Sequence, residues 1–179
     1  MAVLSVFDAK VLKRIGLIAS LVWLAVLLAA CYPTYNWREM PVADGLATLA
    51  FPGKVDTAER DIELAGIPVT FVLSGTEVKS TIFAIGYARL PQQTTALERE
   101  SVQRALVDSL AAGMDQTAPP AAYSGDVFRM QRTVGDRTVV TVARVLVHHD
   151  VAIRVVASGP PQELTEPIAH EFMRSLKLR

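Results

Sequence analysis

Three consecutive segments of alternating apolar and polar residues are the strongest constraint on this chain. Val127 to Val134 runs into Gly135-Asp136, Thr138 to Val147 runs into His149-Asp150, and Val151 to Ala157 follows. Alternation of this kind marks half-buried strands, and two-residue turns between them force antiparallel pairing. In the middle segment Val139, Thr141, Ala143, Val145 and Val147 share one face, and Val151, Ile153, Val155 and Ala157 are expected to form the matching face of the next strand.

The first half of the chain carries the same signal. Leu49 and Phe51 open a short strand that ends at Pro52-Gly53, and Asp61 to Leu64 turns at Ala65-Gly66 into Ile67, Val69, Phe71 and Leu73. Ser74-Gly75 is expected to close a hairpin with Val78 to Leu90, whose apolar residues on both faces predict cover on both sides. After Pro91 the period becomes helical: Thr95 and Glu98 form a capping box, Leu97, Val102, Ala105, Leu106 and Leu110 make an apolar stripe, and Gly113 ends it. Pro119-Pro120 lies in the loop from Asp115 to Ala122, where the helix cannot continue. A last helix starts at Thr165 with Pro167 in its first turn and an apolar face of Ile168, Ala169, Phe172, Met173 and Leu176. The expected fold class is α+β, an antiparallel sheet of about six strands flanked by two helices.

The lone cysteine, Cys31, follows the apolar run Ile15 to Ala30, which is preceded by Lys10, Lys13 and Arg14. A cationic flank, a short apolar stretch and small residues read as a secretory signal peptide. At 16 residues the run falls short of the roughly 20 that span a bilayer. Leu28-Ala29-Ala30-Cys31 resembles the lipobox of bacterial lipoproteins. That resemblance implies a diacylglyceryl group on the Cys31 thiol, cleavage before it by signal peptidase II, and acylation of the new amino terminus, palmitate included. Two or more chains anchor stably, so the chain would be held to membrane lipid through Cys31 without spanning. Tyr32 stands where an aspartate favours inner-membrane retention in enterobacterial lipoproteins, so the resemblance implies sorting to the outer membrane. The expected organisation is a signal peptide over residues 1–30, a short membrane-proximal tether over 31–45 and one α+β domain over 46–179.

Composition narrows the partners. Lys and Arg number 18 against 18 Asp and Glu, which argues against nucleic acid. Loss of residues 1–30 leaves 15 cationic and 17 anionic side chains, net −2 and no polybasic membrane patch. With one cysteine there is no internal disulfide, and the fold stands on its core. In the tether, Tyr32, Tyr35 and Trp37 suit either an interfacial aromatic belt or packing on the domain edge.

Several segments together resemble bacterial members of the PsbP-like fold, first known from the extrinsic photosystem II subunit P. They are Ala50-Phe51-Pro52-Gly53-Lys54, the capped helix after Pro91, the turn Gly135-Asp136-Arg137, and Glu171-Phe172-Met173-Arg174-Ser175-Leu176-Lys177-Leu178. Tyr35-Asn36-Trp37-Arg38-Glu39 also looks like a box of uncharacterised proteobacterial lipoproteins of that type. The resemblance implies an antiparallel sheet flanked by helices over nearly the whole mature chain. The partner and ion sites of the photosynthetic members map onto no positions here, so function is left open.

The candidate chemistry is sparse. His148, His149 and Asp150 offer metal-ligand types, but adjacent strand residues face opposite ways unless the turn rotates one, and no metal site is expected. His170 has no second ligand one turn away, and Glu171 is placed to pair with Arg174 on the solvent side. Ser74, Ser101, Ser109, Ser124, Ser158 and Ser175 lie outside any nucleophile-elbow pattern. Asp56, Glu59, Asp61 and Glu63 interleave with Lys54 and Arg60 as a solvated strand, and Gly53-Lys54 lacks the remainder of a phosphate loop, so no cofactor is expected. Arg129, Arg132, Arg137, Arg144 and Arg154 populate the last strands. They are either an anion-binding patch, with Arg144 and Arg154 side by side on one face, or partners of Asp126, Asp136 and Asp150. The candidate partner-binding residues are therefore Trp37, Arg38, Arg144 and Arg154, and no catalytic residue is expected. The sequence points to a non-enzymatic, lipid-anchored envelope protein facing the periplasm, an accessory or assembly module for an envelope protein. A small-ligand or metal-binding periplasmic domain is the alternative.

Overall fold

The computed structural model describes residues 34–179. The expected signal peptide over residues 1–30, with the lipobox-like Leu28, Ala29 and Ala30, and the expected lipidation site Cys31 lie outside the described residues. Strand β1 (Arg38–Val42) leads through a 3-10 turn (Ala43–Gly45) to β2 (Ala47–Phe51), and β3 (Asp56–Leu64), β4 (Ile67–Val78) and β5 (Thr81–Arg89) follow as a meander. Helix α1 (Ala96–Gly113) and the single turn α2 (Pro120–Tyr123) precede a second meander, β6 (Val127–Val134), β7 (Arg137–His148) and β8 (Val151–Gly159). Helix α3 (Glu166–Arg174) and the two-residue β9 (Lys177–Leu178) end the fold.

The meanders join through β5 and β8 into one six-stranded sheet in the order β3-β4-β5-β8-β7-β6, antiparallel throughout. This is the α+β architecture expected from the alternation. Each face carries its own core. On one face α1 lays Val102, Leu106, Val107 and Ala111 over Phe71, Ala88, Phe128, Ala143, Val145 and Ala152. On the other, Ala169, Phe172 and Met173 of α3 and Leu49 and Phe51 of β2 cover Phe83, Ile85, Ile153 and Val155. Thr95 and Glu98 form the capping box, with the Thr95 backbone N–H donating to the Glu98 carboxylate at 2.7 Å.

Four features differ from the sequence expectation. First, β1, β2 and β9 form a separate three-stranded sheet. Strand β1 and the 3-10 turn come from the stretch read as tether, where Arg38, Glu39 and Pro41 hide any apolar period. Second, β4 continues through Ser74-Gly75 and turns at Lys79-Ser80, with Lys79 at φ +56°. Gly75 serves a close backbone approach, since a Cβ there would lie 3.1 Å from the Phe83 carbonyl oxygen. The actual turn is tied down by Glu163, whose carboxylate accepts from the Ser80 N–H at 2.8 Å. Third, Thr165 is the N-cap of α3 but makes no side-chain capping bond.

The fourth concerns facing. The His149-Asp150 turn pairs His148 with Val151, so odd-numbered residues of β7 oppose even-numbered residues of β8. Val145 therefore faces the α1 side together with Arg154, while Arg144 shares the α3 side with Val155. The runs Val139 to Val147 and Val151 to Ala157 lie on opposite faces of the sheet, and so do Arg144 and Arg154.

Candidate functional site

A groove of about 890 Å³ opens on the α3 side of the sheet, between α3 and the strand pair β6–β7. Its position follows from the layer geometry. Strand β6 is the sheet edge, and α3 with the small sheet covers the strands inward of it. The α3-facing residues of β6, Val127 and Arg129, are consequently exposed. Val140, Val142, Leu164, Ala169, Met173 and Leu176 make an apolar floor and wall.

Three arginines ring that floor. Register places Val127 opposite Arg144 and Arg129 opposite Val142, so Arg129 and Arg144 are diagonal neighbours on one face. Arg144 is held in place: its Nε donates to the Gly125 carbonyl oxygen at 2.9 Å, at a turn where Gly125 takes φ +79°. From the helix come Glu166, His170 and Arg174, four residues apart and hence on one stripe of α3 facing the groove. Among the described residues none of Arg129, Arg144 and Arg174 enters an ion pair; the paired arginines are Arg89, Arg104 and Arg132. Arg132 pairs with Asp115 and Asp150 with Arg89, instead of with the partners weighed from sequence. The groove thus offers apolar surface beneath an excess of guanidinium donors, with Glu166 as the one carboxylate that lines it among the described residues. That chemistry suits a ligand both acidic and partly apolar.

The sequence-selected residues do not form one surface. Trp37 packs inward, with ring centroids 5.9 Å from Tyr35, 5.8 Å from Phe83 and 6.4 Å from Phe172. Tyr35 joins it there, its phenol pushed up by burial and secondly by the Glu163 charge. Of the two roles weighed for these aromatics, both rings take the packing one. Arg38 is exposed on β1, away from the groove. Arg144 alone of the four belongs to the groove, and Arg154 lies on the other face.

The remaining candidates are dispersed. His149 adopts φ +53°, which brings its ring to 4.2 Å from that of His148, so the turn does rotate one imidazole toward the other. Asp150 is engaged by Arg89 at 2.9 Å, and among the described residues no group of three or more His, Cys, Asp or Glu side chains is placed to hold a metal. Glu59, Asp61 and Glu63 alternate on one face of edge strand β3, where Asp61 accepts from Thr70 at 2.7 Å. Arg174, expected on the solvent side with Glu171, lines the groove instead. The legible signal for it was the spacing of Glu166, His170 and Arg174.

No protein-family model and no curated protein sequence matches this chain. Among solved structures it is similar to cyanobacterial PsbP (CyanoP) from Synechocystis sp. PCC 6803. The identity is 8%, over 84% of this chain and 96% of that chain, with a TM-score of 0.44.

Proposed function

We propose that this protein is a non-enzymatic, lipid-anchored module of the bacterial cell envelope that faces the periplasm from the outer membrane and docks an acidic, partly apolar segment of a partner protein. The groove between α3 and β6–β7 is the docking surface. One observation carries this reading: three arginines from three elements, none in an ion pair among the described residues, line a groove with a continuous apolar floor. Guanidinium groups supply carboxylate recognition, and the floor supplies the contact area that a purely polar ligand would leave unused. The anchor rests on Leu28-Ala29-Ala30-Cys31.

Two experiments test the reading. The full-length chain in lipid nanodiscs is titrated with an alternating Glu-Leu peptide. Binding should weaken with added salt and fall about tenfold or more when exposed Arg129 and Arg174 are both reversed to Glu. Peptide binding indifferent to that reversal sinks the docking surface, as does a stronger response to anionic lipid in the disc than to the peptide. For the anchor, intact mass of the membrane-fraction protein should show loss of residues 1–30 plus acyl mass, abolished in Cys31→Ala.

A further inference from the structure

On the opposite face a second, smaller pocket of about 320 Å³ lies between α1 and strands β3 and β4. Its floor is the Phe71 ring, its lip is Leu73 and its far wall is Leu106 of α1. Three polar side chains reach it, Arg60, Arg154 and Ser109. Glu59 also borders it, but the register opposite Val72 turns that carboxylate to the other face.

We infer that this pocket binds a small carboxylate with an apolar body, the carboxylate on Arg154 and the body on Phe71 and Leu73. Arg154 carries most of the weight. It projects from central strand β8, only partly exposed, and its guanidinium lies 5.5 Å from the Phe71 ring centroid. Among the described residues it enters none of the ion pairs. Burial lowers its pKa. A desolvated cation without a carboxylate is costly, and a cation–π contact offsets only part of that. The planar fork of donors is therefore open to an external carboxylate from the pocket side.

The floor is shaped for the same end. A Cβ on Gly86 would overlap the Phe71 ring, so the absence of one lets the ring lie flat across β5 and under Arg154. Leu73 is 44% exposed although it belongs to the apolar side of β4, which leaves apolar surface at the mouth. A second cation, Arg60, stands on the neighbouring strand opposite Phe71. The volume is at the lower end of ligand pockets, about 300–1,000 Å³, and suits a short-chain or single-ring acid.

Hexanoate is the probe, added to the full-length chain in nanodiscs and followed by saturation-transfer NMR against empty discs. Saturable binding is expected for hexanoate, with none for hexanol or acetate, which lack the head or the body. Arg154→Gln should weaken hexanoate about tenfold. Because a central-strand variant can disturb folding, exposed Arg60→Gln and Leu73→Ala are measured beside it, and both should weaken hexanoate with the unfolding midpoint unchanged. Absence of saturable hexanoate binding overturns the inference. So does binding that all three variants leave intact, or equal binding of hexanol.

Discussion

Gly86 and Trp37 show how single positions set this structure. Replacing Gly86 by Ala puts a methyl group into the Phe71 ring and displaces it from Arg154. Overpacking of this kind costs about 1–3 kcal/mol. Urea unfolding of Gly86→Ala should show that loss, while Gly66→Asn, at a φ +84° turn with open space around it, should lose less, because only left-handed backbone strain is added and Asn tolerates that conformation better than most side chains. Phe172 meets Trp37, Phe51 and Phe83 within one aromatic cluster, at centroid distances of 6.4, 5.9 and 5.2 Å. Phe172→Ala is therefore expected to lose about 3–5 kcal/mol in the same measurement. None of these partners was legible in the sequence. A glycine within a strand signals close approach without naming the group that approaches, and Trp37 sits in a stretch whose charges and prolines conceal the strand it introduces.

Elements were legible where one local rule dominated and illegible where tertiary register decided. Helix α1 is an instance of the first: the Thr95 and Glu98 pair marks its start, and hydrogen bonds from the Thr95 backbone and hydroxyl lower the Glu98 pKa. A depressed carboxyl pKa stabilises the fold above its unfolded value, and that contribution disappears as pH falls through the folded pKa. Acid titration of stability should therefore be less steep in Glu98→Gln than in the parent chain. Thr95→Ala should cost about 1 kcal/mol at neutral pH. The β7–β8 hairpin is an instance of the second. Both strands and the turn were legible, yet a two-residue loop pairs position 148 with 151 and so swaps odd for even across the hairpin. That parity separates Arg144 from Arg154 and divides one imagined patch into a groove on one face and a pocket on the other.

At the scale of the whole molecule, a central sheet with a core on each face leaves its β6 edge uncovered beside α3, and the groove is the consequence. Its arginines come from positions 129, 144 and 174, on three elements, and only the folded layers bring them together. This is why the sequence showed an arginine-rich C-terminal half without showing where a ligand would sit. Hydrogen exchange of the full-length chain, with and without the alternating Glu-Leu peptide, tests the central claim most directly. Docking in the groove predicts added protection of amides over residues 127–131, 140–144 and 164–174 that Arg129→Glu with Arg174→Glu removes. Protection confined to other surfaces, or none at a peptide concentration that binds, would contradict it.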